Sequence, residues 1–300
     1  MKKVLLLLSA VVLVMMINSC QKSGSEDVLS DVTIAEDEVF MLKSSEAVDE
    51  LVTAASFGGH MTSTDLKAAF VRFFPYKEFP ECAEVTVSTT DFPKEIIIDY
   101  GDDCFTRNGL PITGKITFTI SDTIINEGAE ITVVYDNVTI GERSVDREAT
   151  ILNEGQNEEG NWVISTSMVS TVTYGDDLII KRDYAGEKEW INGFLTPQCF
   201  DDQLYQTGGG TITVNDELVF TRTITVPLYI DKTCRFILSG VVEISRGEET
   251  MTIDYGDGEC DNIAVVTKDG ESEEIELNSG RFGTGFQRHL RHIRRINGWW

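Results

Sequence analysis

The chain has 300 residues, enough for one large domain or for two of ordinary size. It carries 50 acidic side chains against 25 basic ones, a formal net charge of -25 at pH 7. Such an excess of acid argues against a nucleic-acid partner, because a phosphate backbone is held by clustered basic side chains. The histidines, His60, His289 and His292, lie outside the predicted strands. We therefore expect neither a histidine-rich zinc site nor a nucleophile activated by a histidine base.

The first 19 residues have the composition of an export signal. Two lysines precede an apolar run that ends at Ile17, shorter than the roughly twenty apolar residues a membrane-spanning helix needs. The segment closes with Ile-Asn-Ser-Cys, which resembles the lipobox of bacterial lipoproteins. That resemblance implies membrane attachment through acyl chains, palmitate included, on Cys20. Gln21 rather than aspartate implies sorting to the outer membrane, facing the periplasm or the cell surface. An ordinary signal peptide with a chance cysteine is the alternative.

The next two segments are predicted to lead up to the folded body. Residues 20 to 43 are polar and acidic and bury too little apolar surface to fold alone, so we expect a flexible tether. Residues 44 to 80 are expected to form two short helices. Ser44 is a suitable cap for the first helix, and the second runs from residue 64 to residue 74, before a proline.

From residue 81 to residue 278 the apolar side chains recur at every second position, which predicts strands. Turn-forming stretches, including the three glycines at 208 to 210, punctuate them. No stretch suits a crossover helix, so the class is mainly β with antiparallel sheets, as a sandwich or a partly open barrel. About fourteen strands are too many for one small sandwich. Two linked β units are therefore predicted, at residues 81 to 195 and 196 to 278.

The motif Ile-Asp-Tyr-Gly occurs twice, at residues 98 to 101 and 253 to 256, each time between two cysteines. Pairing like faces of the two hairpins places Val87 opposite Ile98, and Val242 opposite Ile253. In both registers the cysteines come within one residue of facing each other across the strands. A bulge at the glycine after the tyrosine would absorb that offset.

Two disulfides are predicted from this register, Cys82 with Cys104 and Cys234 with Cys260. Each would close a loop of more than twenty residues, a constraint that contributes about 2 to 4 kcal/mol to stability. Reduced, buried cysteines are the alternative. Cys199 has no partner in this scheme and is expected to be an inert thiol.

The repeated motifs, together with Gly114-Lys115-Ile116 at a strand start and Asp261-Asn262 after the last cysteine, resemble a family of uncharacterised Bacteroidota lipoproteins. The resemblance covers roughly residues 80 to 277. It supports an envelope location, and it implies no activity, ligand or binding residue.

The second motif carries four carboxylates within eight residues, Asp254, Asp257, Glu259 and Asp261. Calcium takes six to eight hard oxygen ligands, so this loop is a candidate calcium site. The spacing is not that of an EF-hand. The alternative is turn chemistry, in which aspartate and glycine supply local hydrogen bonds and a left-handed backbone.

Residues 279 to 300 form a basic tail that is predicted to be an amphipathic helix. Its apolar side ends in an aromatic pair. Docking onto the protein's own acidic body is one interpretation, and an anionic lipid or lipopolysaccharide surface is the other. The residues proposed for either surface are Arg288, Arg291, Arg294, Arg295, Trp299 and Trp300.

These patterns favour an outer-membrane lipoprotein that acts as a non-catalytic binding or envelope-structural module. Its expected partners are the membrane, through the lipid on Cys20, and a glycan or an envelope protein. A carboxylate-dependent glycan hydrolase is the first alternative, because two acids at the right separation cleave glycosidic bonds. Trp162 and Trp190 would then stack on sugar, unless they are core residues. A calcium-stabilised adhesion module is the second alternative.

Overall fold

The structure is a computed structural model, and it describes residues 81 to 276 apart from 107–108, 176–177, 197–200, 235 and 269. The signal peptide, the tether, the two predicted helices, Cys20, Cys199 and the basic tail lie outside the described residues. Within the described part the chain forms fourteen strands and no α-helix. No helix there is long and apolar enough to cross a membrane.

The strands follow one another with short connections. They are β1 (Glu84–Val87), β2 (Lys94–Asp99), β3 (Cys104–Phe105), β4 (Pro111–Ile120), β5 (Glu130–Ile140), β6 (Arg143–Gln156), β7 (Trp162–Tyr174), β8 (Leu178–Asn192), β9 (Gln203–Val214), β10 (Leu218–Asp231), β11 (Ser239–Arg246), β12 (Glu249–Asp257), β13 (Ile263–Lys268) and β14 (Glu271–Glu276).

All fourteen strands belong to one antiparallel sheet that is open rather than closed. Each long strand pairs with the next one in the chain, and the two-residue β3 pairs with β4 beside β2. The prediction of a mainly β, antiparallel protein is confirmed. The structure has a single sheet where two linked β units were predicted, because hydrogen bonding continues from β8 to β9 across residue 196. A short connection between neighbouring antiparallel strands leaves no need for a break there.

Alternating burial divides the sheet into an inner face and an outer face. In β6, for example, Val145, Ala149 and Ile151 are buried, and the residues between them are more exposed. The largest apolar cluster extends over the inner face from β1 to β7, and smaller clusters continue from β8 to β13. Each buried isoleucine or valine contributes roughly 1.5 to 3 kcal/mol, so this face carries most of the stabilisation. The outer face holds mainly polar and small side chains.

The two predicted disulfides are present, Cys82–Cys104 and Cys234–Cys260. In the second hairpin the register is the predicted one, with Val242 opposite Ile253. One extra residue of β12 falls between Asp254 and Asp257, which confirms the bulge at the glycine.

The first hairpin pairs two residues away from the prediction, with Val87 opposite Ile96. The faces are unchanged, because a shift of two residues preserves the alternation. Residues 89 to 94 form the turn. Ser88 closes the ladder by pairing with Glu95, through a backbone hydrogen bond of 2.9 Å and a side-chain bond of 2.9 Å.

Candidate functional site

The repeated Asp-Tyr-Gly motif forms the same local turn in both hairpins. The Oδ1 atom of Asp99 accepts a hydrogen bond from the Gly101 N–H at 2.9 Å, and Asp254 accepts one from Gly256 at 2.9 Å. Both glycines have positive φ, 59° and 97°, which glycine adopts without steric cost. The aspartate and the glycine are therefore explained by the backbone of a bulged turn.

The four candidate calcium ligands are not brought together. Asp254 is engaged with the backbone of its own turn, and the Oδ1 atom of Asp261 accepts the Ile263 N–H at 2.9 Å. Among the described residues no three His, Cys, Asp or Glu side chains form a group suited to a metal. The geometry of this acidic loop therefore favours the turn interpretation of Asp254, Asp257, Glu259 and Asp261.

The first hairpin differs in having a cation beside its aspartate. Lys115 lies directly opposite Asp99, and their charged atoms are 2.7 Å apart. The hydrogen bond from Lys115, followed by that from the Gly101 N–H, lowers the pKa of Asp99. In the second hairpin Val265 of β13 occupies the position opposite Asp254. The motif is shared, but its electrostatic surroundings are not.

A hollow of about 580 Å³ lies in the outer face of the central strands β6 to β9. The hollow forms because the residues that lie opposite one another on these strands have small side chains. One row reads Thr150, Ser167, Ala185 and Gly209, each residue directly opposite the next. Residues directly opposite in an antiparallel pair share a face. Glu187 adds a carboxylate to the hollow.

The glycines at 208 to 210 lie inside β9 and do not form a turn, contrary to the sequence interpretation. A Cβ atom on Gly208 would come within 2.3 Å of the Gly186 Cα on β8. One on Gly210 would come within 2.0 Å of the Asp183 carbonyl oxygen. Because real side chains do not approach that closely, glycine here lets the strand backbones pack tightly.

Beside the hollow, two tyrosine rings lie next to each other on the outer face. Tyr205 of β9 is directly opposite Tyr229 of β10, and their ring centroids are 5.3 Å apart. Tyr205 is 39% exposed. We call Tyr205 and Tyr229 the tyrosine pair. The sequence did not predict this pair.

A carboxylate held in a fixed orientation flanks the tyrosine pair. Glu189 of β8 is directly opposite Tyr205. Its Oε1 atom accepts hydrogen bonds from the Asn157 and Asn161 side-chain amides, at 2.8 and 2.7 Å. Both asparagines lie in the turn between β6 and β7, so the turn orients the carboxylate.

A second oriented carboxylate lies on the other side of the pair. Asp231 of β10 is directly opposite Gln203 of β9, and the Gln203 amide donates to its Oδ2 atom at 2.8 Å. The Thr233 hydroxyl donates to Oδ1 at 2.6 Å. The hydrogen bond from the Thr233 hydroxyl, followed by that from Gln203, lowers the pKa of Asp231. The carboxylate is therefore stabilised in its charged form.

The two tryptophans pack on the inner side of the sheet. Trp162 lies directly opposite Trp190, and the ring of Phe194 contacts both, with centroid distances of 5.1 and 5.5 Å. Trp190 and Phe194 pack against the main apolar cluster. This geometry supports a core role for the two tryptophans rather than a sugar-stacking role.

Asp202 lies next to Trp190, in the connection between β8 and β9. Its carboxylate accepts a hydrogen bond from the Trp190 side chain, and its backbone carbonyl accepts the Lys232 N–H at 2.9 Å. Burial raises the pKa of Asp202 to about 6, against the opposing effects of the Trp190 hydrogen bond and the Lys232 charge. This carboxyl group therefore titrates near neutral pH.

Comparison with protein-family models, with curated proteins and with solved structures finds no match for this chain. The described part of the chain is an open antiparallel β sheet. Its outer face carries the tyrosine pair and carboxylates that neighbouring side chains hold by hydrogen bonds. The candidate site consists of the hollow, the tyrosine pair and the two oriented carboxylates.

Proposed function

We propose that this chain is an outer-membrane lipoprotein that acts as a non-catalytic binding or envelope-structural module. Acyl chains on Cys20 would hold it at the membrane, and the outer face of the sheet would meet a glycan or an envelope protein. The export pattern of the first 19 residues and the lipobox-like sequence support the anchor. Its strong negative charge and lack of basic clusters in the sheet support a partner other than nucleic acid.

The observation that carries the binding role is the exposed site on the central strands. A hollow of about 580 Å³ falls in the size range of small-molecule sites. The tyrosine pair beside it offers apolar surface, and the Glu189 and Asp231 carboxylates are held by neighbouring side chains before any ligand arrives. Polar groups that are already oriented lose less entropy on binding.

The anchor is tested by labelling cells that express the chain with a palmitate analogue. We expect the wild-type protein to be labelled and to sediment with outer membranes. Cys20→Ala should remove both the label and the sedimentation. Cys199→Ala is the matched control and should leave both unchanged. Membrane sedimentation of unlabelled Cys20→Ala protein would contradict the lipid anchor.

A glycan hydrolase is the second candidate, and one observation favours it. Glu187 and Glu189 lie two residues apart on the same face of β8, so their Cα atoms are separated by about 7 Å. Glycosidic hydrolysis requires two carboxyl groups about 5 to 9.5 Å apart, and side chains at neighbouring positions on one face of a strand can meet that requirement. Glu187, however, is exposed, whereas a general acid that stays protonated at neutral pH needs apolar surroundings.

The two candidates differ in a simple assay. Incubation with oligosaccharides and measurement of new reducing ends should give no release above a boiled control if the module is non-catalytic. Release that Glu187→Gln abolishes would establish the hydrolase instead. No observation among the described residues favours the calcium-stabilised adhesion module.

A further inference from the structure

We infer that the outer face of β7 to β10 binds an uncharged oligosaccharide, with Tyr205 and Tyr229 as the stacking surface. This inference rests on the proposed binding function and names its ligand class. It follows from three properties of the site: an exposed aromatic surface, carboxylates held by hydrogen bonds beside it, and a hollow lined by serine and threonine side chains.

The tyrosine pair has the geometry of a stacking surface. The two rings contact each other across β9 and β10, with centroids 5.3 Å apart and ring planes tilted by 39°. An aromatic face carries negative charge density and attracts the slightly positive C–H groups of an apolar ligand surface. A sugar ring presents such C–H groups on its face and hydroxyl groups around its edge.

The carboxylates beside the rings can bind the hydroxyl groups at the edge of a sugar ring. Glu189 and Asp231 each use one or both oxygens on protein donors, which holds the carboxylates in place beside the strands that carry the rings. Ionised carboxylates accept hydrogen bonds only, and hydroxyl groups are natural donors to them. Charge-assisted bonds of this kind are stronger than neutral ones. The sugar's hydroxyl groups would therefore find acceptors on both sides of the stacking surface.

The charge of the surface excludes acidic sugars. Glu187 and Glu189 of β8 and Asp231 of β10 lie on this face near the rings. The outer-face lysine of β8, Lys181, lies toward the opposite end of the strand and is paired with Asp216 at 2.7 Å. A sulfated, phosphorylated or uronic glycan would meet like charge here, which costs binding energy. An uncharged glycan would not.

The hollow extends the site along the strands. Thr207 separates Tyr205 from the glycines of β9, and Ser165 and Ser167 of β7 line the same hollow with Glu187. From Tyr205 to Gly209 the strand rises by about 13 Å. The site is therefore longer than a single sugar ring, and the ligand is an oligosaccharide.

The experiment uses the full-length acylated protein in detergent. It is applied to an array of uncharged oligosaccharides of four to eight units, such as β-glucans, α-glucans, xylans and mannans, with heparin fragments and oligolysine included. The best uncharged ligand is then titrated against the wild-type protein, Tyr205→Ala and Tyr229→Ala. We expect each alanine variant to bind roughly ten-fold more weakly.

Two further variants serve as controls. Tyr205→Phe retains the ring and should bind within about three-fold of the wild-type protein. Phe105→Ala removes an aromatic side chain that is 55% exposed on β3, which pairs with β4 far from β9 and β10 in the strand order, and should not change binding. Because all are surface variants, urea unfolding should show that each remains folded.

Each outcome decides the inference. Binding of uncharged glycans that the two tyrosine variants weaken, and Phe105→Ala does not, supports it. Binding only to heparin or only to oligolysine overturns it, as does uncharged-glycan binding that ignores both tyrosines, or an array without any bound glycan. The proposed function fails separately, by loss of palmitate labelling or by release of reducing ends.

Discussion

Asp202 makes the stability of the sheet depend on pH in a direction opposite to the usual one for a carboxyl group. Its pKa is raised from the ordinary 3.8 to about 6, chiefly by burial. Between those two values the folded state holds a proton that the unfolded state has released. Stability therefore falls as pH rises through about 6, and the contribution is fully present only below about 4.

The magnitude follows from the two pKa values. A rise in the pKa of this carboxyl group from 3.8 to about 6 corresponds to a change of about 3 kcal/mol in the free energy of unfolding if solvent screening is ignored. Asp202 is only partly buried, so we expect about 1 to 2 kcal/mol. The substitution Asp202→Asn removes the charge and keeps an oxygen that accepts the Trp190 hydrogen bond.

The assay is urea unfolding of the wild-type protein, Asp202→Asn and Asp103→Asn from pH 4.5 to pH 8. Asp103→Asn removes an exposed charge and corrects for the general repulsion among acids. At pH 8 Asp202→Asn should be more stable than Asp103→Asn by about 1 to 2 kcal/mol, and the difference should shrink toward pH 4.5. A constant difference across this range, or a less stable Asp202→Asn at pH 8, would refute the reasoning.

Three other changes test the sheet. Gly208→Ala places a methyl group within 2.3 Å of a neighbouring Cα and should cost about 3 kcal/mol or more in urea unfolding. Gly128→Ala is the control: at φ 80° a Cβ atom there would have no atom within 4 Å, so this variant should lose only about 1 kcal/mol of stability. Equal losses of stability in the two variants would argue against the close packing of β8 and β9. Replacing Cys234 and Cys260 by serine opens a separation of 26 residues and should cost about 3.5 kcal/mol in urea unfolding; an unfolding midpoint equal to that of the oxidised wild type would contradict this. Lys115→Met removes an ion pair between exposed groups and should leave the urea unfolding midpoint nearly unchanged; a clear loss of stability would show that the pair is structural.

Period-two patterning was sufficient to predict the strands and their antiparallel order. It works because one face of the sheet is buried along nearly its whole length, so Ile116, Phe118 and Ile120 must all lie on that face. The disulfide pairing followed from the same alternation, since cysteines at the open end of a hairpin are neighbours whatever the turn does. The exact turn was less predictable: the first hairpin pairs two residues away because local bonds at Ser88 fix its length.

The candidate site was harder to predict, and the reason lies in cross-strand distance. Tyr205 and Tyr229 are far apart in the chain, and only the β9–β10 register makes them neighbours. A signal was present: burial of Leu204 and Ile212 sets the phase of β9 and turns Tyr205 to the outer face. The glycines of β9 were misinterpreted as a turn because close backbone packing between strands leaves no mark that sequence composition distinguishes from a turn.

The pairing of each strand with its sequence neighbour has a mechanical consequence for a chain anchored at its N-terminal end. A pull from the membrane would reach the sheet at β1, which is an edge strand and would otherwise peel away one hydrogen bond at a time. The Cys82–Cys104 bond carries that load past β1 and β2 directly to β3. The force then reaches β4 at Ile112, so the segment of β1 and β2 between the two cysteines carries no load and its hydrogen bonds are spared.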